Sequence, residues 1–381
     1  MHRKSFALLL TGVSFLVVVG IVMLMSTCIF SAHADSLDGY KEAKKQGVWL
    51  LLGAGICWWA ASVDYRFWKR NTWWIFFGTI ILLVCCFIPG VGLEVNGEQR
   101  WIGYGPIQFQ PSEIAKITVA IMIAYWFSRY PDSGKQLVRG FVMPLSIAGL
   151  AIVLVLFEVD IGTTAVLISA TMVMLFVAGV DWKFLTSLTA SGVAAFIGML
   201  SYAPDRVERI LAFIDPEKHK LGAGFQQWIS LMAIGSGGVT GRGIGEGRLK
   251  MLYMPFAHTD FIFPMIGEEM GLIATVGVVL GFVFITVAGF SIAFHAPDRF
   301  GMILAVGLAS CLGFQGFLNI GVTTSTLPNT GLPLPFVSYG GSSLVFSFLA
   351  IGILINVFRQ GRVPGEVTSD WTLRPRITPR V

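Results

Sequence analysis

Ten apolar runs divide the chain, at approximately residues 6–29, 47–63, 72–92, 112–128, 140–157, 161–180, 183–203, 262–292, 300–322 and 339–358. A hydrocarbon core of about 30 Å takes about 20 apolar residues per helix, and most of these runs are close to that length. In lipid every backbone polar group must be bonded within its own segment, so runs of this kind fold as helices. Composition agrees. Hydrophobic residues make up 55% of the 381 and charged residues 13%, at a mean hydropathy of +0.73, whereas soluble domains carry about 25% charge. A solvated globule of this size cannot hide so much apolar side chain, which excludes a soluble enzyme, a disordered chain and a secreted disulfide scaffold. The five cysteines (Cys28, Cys57, Cys85, Cys86 and Cys311) fall inside apolar runs with no CxxC pair and no neighbouring His, so neither zinc nor a disulfide framework is signalled. The expected fold class is an all-α integral membrane protein: a polytopic domain over residues 1–358 with one large extracytoplasmic loop, 204–261, and a tail over 359–381.

An even number of spans puts both termini on one side of the membrane, and Lys/Arg asymmetry says which. The terminal segments and the loops on their side carry fifteen Lys and Arg. The short loops facing the other way carry Lys41, Lys44, Lys45 and Arg100, and seven more lie in the long loop. Both termini are therefore expected in the cytoplasm of a cell whose inner membrane holds the chain. Ser31-Ala32-His33-Ala34 has the look of a signal-peptidase site, but the apolar run before it is nearer 24 residues than the roughly 7–15 of a signal peptide, so a retained first helix is expected. The net charge of +5 is scattered between spans rather than gathered on one domain, which argues against nucleic acid.

Charge at membrane depth costs several kcal/mol and is rarely kept without a task. Glu113 and Lys116 open the fourth span, and at three residues apart on a helix they can simply pair with each other. Glu158 and Asp160 sit at the turn between spans five and six. The densest cluster runs from His258-Thr259-Asp260 through Pro264 to Glu268-Glu269 at the start of span eight. Asp260 falls at the rim, while Glu268 and Glu269 would lie about 12–14 Å further in unless Pro264 breaks the helix. A carboxylate among Phe and Ile tends to a raised pKa suited to a general base, or to cation coordination; capping a helix is the plainer alternative.

Two loops complete the polar surface. Residues 235–250 are dense in glycine and include Arg242, Arg248 and Lys250, a composition that presents backbone N–H groups and charge to a phosphate or, equally, makes a merely flexible loop. No Walker or G-x-G-x-x-G spacing accompanies it, so no nucleotide and no organic cofactor is expected. Residues 327–343 carry three prolines and the cluster Ser338-Tyr339-Gly340-Gly341-Ser342-Ser343, as a re-entrant or packing loop would. From these residues the chain is a polytopic membrane protein with an acidic and basic outer cavity suited to a lipid-linked phosphate compound. Catalysis and transport remain equally open at this point, with a scaffold as the third reading.

The same segments resemble the SEDS family of bacterial peptidoglycan polymerases, whose branches are FtsW, RodA and SpoVE. The resemblance rests on Val95-Asn96-Gly97-Glu98-Gln99-Arg100-Trp101-Ile102, Gln110-Pro111-Ser112-Glu113 with Lys116, Glu158-Val159-Asp160-Ile161-Gly162-Thr163, the glycine loop, His258-Thr259-Asp260-Phe261-Ile262-Phe263, Gly267-Glu268-Glu269, and Pro335 to Ser343. The Asn-Gly-x-x-Arg-Trp stretch and the Gly-Glu-Glu ending look like the division branch, FtsW, rather than the elongation branch. Val159 stands where the family usually has Pro, and Phe256 where it usually has Glu. The resemblance implies a glycosyltransferase that polymerises lipid II on the outer face of the inner membrane during septal wall synthesis, the 4-hydroxyl of one sugar attacking the anomeric carbon of the growing glycan with release of undecaprenyl pyrophosphate. It implies Asp260 as catalytic base or ligand of a divalent cation, Mg2+ or Mn2+. Arg100, Lys116, Arg242, Arg248, Lys250, Glu113, Ser338 and Ser342 are the candidate substrate-binding residues, and His258, Thr259, Glu268, Glu269, Glu158 and Asp160 the supporting ones. Expected partners are lipid II, a class B penicillin-binding protein, other divisome proteins and membrane lipid.

Overall fold

A computed structural model describes residues 2–34, 41–95, 98–104, 107–202, 213, 215–222, 224–248 and 259–361. Each of the ten apolar runs carries a helix: α1 (His2–Ala34), α2 (Lys41–Ser62), α4 (Thr72–Cys85), α5 (Pro111–Arg129), α6 (Met143–Phe157), α7 (Ile161–Val177), α8 (Trp182–Tyr202), α10 (Ile262–Phe294), α11 (Arg299–Thr323) and α12 (Gly341–Gln360). A single turn, α3 (Arg66–Arg70), links α2 to α4, and α9 (Phe225–Gly237) lies within the long loop. A π-helical stretch, Leu137–Val142, runs straight into α6, so that span begins three residues earlier than hydropathy indicates. Among the described residues five segments are long and apolar enough to cross a membrane by length and composition, Lys4–Ser26, Leu137–Phe157, α10, α11 and α12; α4 and α7 are apolar but shorter.

α11 forms the centre of the bundle, packing against α5, α7, α10 and α12. α2 lies along α12, and small residues permit the approach: a Cβ on Gly352 would stand 2.5 Å from the Cys57 carbonyl oxygen, and one on Gly341 2.3 Å from Trp49. Small residues let helix backbones close on each other where lipid provides no hydrophobic drive to do so.

Three features depart from the sequence expectations. The third span stops at Cys85, and residues from the end of the third apolar run to the start of the fourth form a three-stranded antiparallel sheet, β1 (Gly92–Val95), β2 (Glu98–Tyr104) and β3 (Ile107–Phe109). The alternation in this stretch is too short to be separated from loop by periodicity. The long loop is not wholly irregular, since α9 packs on α10 and buries Gln227 and Ser230, whose side chains donate to the carbonyls of Leu327 and Thr323. Finally, Pro264 does not break α10. It sits in the first turn, where a proline's missing N–H has no intrahelical partner to lose.

The break falls instead at Gly271, with φ 75° and ψ −170°, a region open almost only to glycine. A Cβ there would stand 2.3 Å from the Gly241 amide nitrogen and 2.4 Å from the Val239 carbonyl oxygen. Gly271→Ala therefore adds backbone strain to a backbone clash, and a loss of about 2–3 kcal/mol is expected. Thermal unfolding of the detergent-solubilised protein reads it, and a melting curve identical to wild type would contradict this account of the kink.

Candidate functional site

A cavity of ≈ 490 Å³ opens at the end of the bundle where α2, α5 and α12 begin. Its charged lining residues are Asp260, Arg100 and Lys45, with Thr259, Gln110, Trp49 and Trp101 around them. Asp260 is delivered by the three residues that lead into α10. Its carbonyl accepts the Asn319 Nδ2–H at 2.8 Å, and the Thr259 carbonyl accepts the Ser338 hydroxyl, whose oxygen also accepts the Leu334 N–H at 2.8 Å. The backbone at Asp260 is thus clamped from α11 and from the proline loop. The carboxylate faces the same loop: a Cβ on Gly331 would lie 3.6 Å from Asp260 Oδ2. Ser342 and Ser343, in the first turn of α12, also line the cavity and bring the positive end of that helix to it.

Arg100, on β2, is aimed by a turn. Its guanidinium donates to the carbonyls of Glu158, at 3.3 Å, and Val159, at 2.7 Å. Val159 has φ 61°, which proline cannot adopt, so the valine that departs from the family's pattern occupies a backbone conformation closed to the usual residue. Asp160 caps α7 through the Thr163 N–H at 2.9 Å and accepts Gln110 Nε2–H at 2.8 Å and the Ser112 hydroxyl at 3.2 Å, tying the starts of α5 and α7 together.

The Glu158 carboxyl lies in this turn, 1% exposed, and neither oxygen has a hydrogen-bond partner among the described residues. Burial pushes its pKa up to about 8; the Cys86 thiol and Arg100 oppose the rise and Asp160 adds to it. The folded chain holds this proton up to pH about 8, while the unfolded chain releases it near the ordinary 4.5. Between those values the native state binds more protons than the unfolded one, so its contribution to stability falls as pH rises through that window. Glu158→Gln is expected to flatten the decline in melting temperature between about pH 5 and about pH 8, and an unaltered pH profile in the variant would exclude Glu158 as its source.

Glu113 and Lys116 sit beneath the cavity wall rather than in it. They pair at 2.7 Å, 1% and 6% exposed, and Lys116 Nζ also donates to Gln315 Oε1. Gln315 Nε2 in turn donates to the Pro333 carbonyl at 3.0 Å and to Ser343 Oγ at 3.4 Å, both residues of the cavity lining. Sequence reading passed over Gln315 and Asn319. The available signal was two uncharged polar residues four apart inside the apolar run 300–322, the spacing that puts both on one face.

The glycine loop is spent elsewhere. Glu268 Oε1 accepts the Arg248 N–H at 2.8 Å, and Glu269 Oε2 accepts the Gly245 N–H at 2.9 Å and the Ser26 hydroxyl at 2.6 Å. Their carbonyls accept the N–H groups of Arg242 and Gly243. Four of the backbone donors read as a phosphate cradle, at Arg242, Gly243, Gly245 and Arg248, are therefore taken by Glu268 and Glu269, two through carbonyls and two through carboxylates, and neither Arg242, Arg248, Glu268 nor Glu269 lines the Asp260 cavity. His258 and Lys250 lie outside the described residues.

The chain matches the cell cycle protein family of FtsW, RodA and SpoVE over residues 6–363. It is 37% identical over 356 residues to a probable peptidoglycan glycosyltransferase FtsW of Geobacter sulfurreducens, covering 93% of this chain and 95% of that one. It is 37% identical over 347 residues to stage V sporulation protein E of Bacillus subtilis, covering 91% and 95%. Among solved structures, a chain of a peptidoglycan synthase complex described as coordinating polymerization and crosslinking superposes with a TM-score of 0.75 at 28% identity, over 91% of this chain and 97% of that one. The rod shape determining protein RodA of Thermus thermophilus superposes with a TM-score of 0.66 at 26% identity, over 93% and 96%. The polar clusters, the clamped aspartate and these likenesses agree: the chain belongs to the FtsW/RodA/SpoVE family of multi-pass membrane proteins.

Proposed function

We propose that the chain is a peptidoglycan glycosyltransferase of the division type, polymerising lipid II at the outer face of the inner membrane, with both termini in the cytoplasm. The observation that carries this reading is the placement of one carboxylate, Asp260, in the wall of a cavity whose other charged lining residues are cations, beside a helix N-terminus. Arg100, Lys45 and the first turn of α12 suit a pyrophosphate. Asp260 takes the proton of the attacking 4-hydroxyl as undecaprenyl pyrophosphate leaves from the inverted anomeric carbon, or would be the protein ligand of a divalent cation that neutralises the leaving group.

The donors fit a divalent cation brought in on the pyrophosphate better than a resident one. Among the described residues no three of His, Cys, Asp or Glu gather, and Mg2+ is commonly held by one or two carboxylates with substrate phosphate oxygens. Such an ion would supply Lewis-acid neutralisation of the departing pyrophosphate. A class B penicillin-binding protein is the proposed partner, supported by the likeness to a synthase-complex chain; septal localisation with other divisome proteins follows the likeness to FtsW. Purified protein, purified lipid II and Mg2+, with and without the partner, should yield glycan ladders on a gel. Lipid II translocation in liposomes with no ladder in either mixture would replace the polymerase with a transporter.

A further inference from the structure

A second charged cavity lies at the other end of the bundle. α2 measures the separation: Lys45 and Trp49, near its start, line the Asp260 cavity, and the helix ends at Ser62. At about 1.5 Å per residue, Asp64 is about 28 Å from Lys45 along that axis, close to one hydrocarbon thickness. There Asp64, Arg66, Lys69, Arg70 and Asp298 line a cavity of ≈ 650 Å³ between α3 and the turn that joins α10 to α11.

The carboxylates of this cavity hold backbone N–H groups, and its cations are not tied up in ion pairs among the described residues. Asp298 Oδ1 caps α11 by accepting the Gly301 N–H at 2.8 Å, and Asp64 Oδ1 accepts the Arg66 N–H at 2.9 Å. Arg66, Lys69 and Arg70 form no ion pair among the described residues. Two of them are seated on aromatic faces, Lys69 Nζ 5.6 Å from the Phe300 ring centroid and the Arg66 guanidinium 5.9 Å from that of Tyr65, and both rings are fully buried. Exposed tryptophans bracket α3 in sequence, Trp58 and Trp59 before it and Trp73 and Trp74 after it, with Trp58 75% and Trp74 81% exposed. Exposed tryptophans gathered at helix ends mark the headgroup level of a bilayer. Topology needs only cations near a span end; it does not need a cavity between helices to hold them.

We propose that this cavity binds the phosphate-bearing headgroup of an anionic phospholipid of the leaflet opposite the Asp260 side. Basic pockets between membrane helices take such headgroups, and each cation near the surface strengthens binding about fivefold. The carboxylates of Asp64 and Asp298 set the limit on affinity, because both repel the same phosphate.

Native mass spectrometry of the full chain, released from nanodiscs of mixed phosphatidylglycerol and phosphatidylcholine, tests this. Retained phosphatidylglycerol should exceed phosphatidylcholine, and Arg66→Gln/Lys69→Gln/Arg70→Gln should lower that retention about tenfold or more while phosphatidylcholine retention stays level. Asp64→Asn keeps an oxygen for the Arg66 N–H but removes one repelling charge, so it should raise phosphatidylglycerol retention about fivefold, a gain that misfolding cannot imitate. Equal retention by wild type and the triple variant would overturn the proposal, and so would unchanged or weakened retention by Asp64→Asn. Displacement of phosphatidylglycerol by soluble glycerol phosphate at matching concentration would overturn it too, by showing a free-phosphate site. Should the triple variant aggregate, the Asp64→Asn result decides alone.

Discussion

Asp260→Asn is expected to lower lipid II polymerisation about 10²–10⁴-fold, the range a positioned general base contributes, with an unchanged melting temperature. The reason for separating the two readouts is how the residue is held. Two of the contacts that anchor it to the bundle are through main chain: the Asp260 carbonyl takes the Asn319 amide and the Thr259 carbonyl takes the Ser338 hydroxyl. Asn has the same shape and leaves those contacts in place, so a catalytic loss without a stability loss isolates the carboxylate charge. Glycan ladders from purified lipid II measure the first and thermal unfolding in detergent the second. Wild-type ladders from a normally folded variant would remove Asp260 from the chemistry; a lost fold would show that the side chain holds structure as well.

Lys116→Met is expected to cost about 3–5 kcal/mol, the penalty for breaking a buried ion pair and leaving one charge behind. Glu113 would remain 1% exposed with its 2.7 Å partner gone, and Gln315 Oε1 would lose its donor. Replacing both members, Glu113→Met with Lys116→Met, removes the stranded carboxylate, and recovery of most of the stability is expected, since apolar replacements of buried pairs are often neutral. Activity should not recover with it. Gln315 spans from Lys116 to Pro333 and Ser343 in the cavity wall, so the pair positions that wall whatever it contributes to stability. The comparison is of melting temperatures and ladder yields across the single and double variants. A double variant as unstable as the single would show that the cost comes from packing rather than from charge, and a fully active double variant would remove the positioning role.

The residues of the site divide by what kind of information locates them. Asp260, Arg100, Glu158, Asp160, Glu113 and Lys116 were legible because charge is scarce in this chain and expensive at membrane depth. Their division of labour was not. Glu268 and Glu269 resemble a deep acidic site in sequence, yet they hold the glycine loop, taking the N–H groups of Arg242, Gly243, Gly245 and Arg248 in doing so. Lys45 and Trp49 reach the cavity from a helix some 215 residues earlier than Asp260, a juxtaposition that only packing creates. Asn319 and Gln315 carry no charge and stand in an apolar run, so nothing but their contacts distinguishes them from tolerated polar residues.

What the sequence determined alone was where the apolar helices lie, because hydrophobic length against bilayer thickness is a one-dimensional constraint: among the described residues each of the ten apolar runs carries a helix, most of whose ends agree within a few residues, while α3 and α9 fall outside them. The chain's own residues also set α10's weak point, although at Gly271 rather than Pro264, since a proline in a first turn breaks no hydrogen bond while a backbone at φ 75° excludes a side chain. Tertiary structure decided the rest. Which carboxylate faces a cavity and which is consumed by backbone donors depends on contacts between segments far apart in the chain, and hydropathy, periodicity and charge spacing describe only neighbours along it.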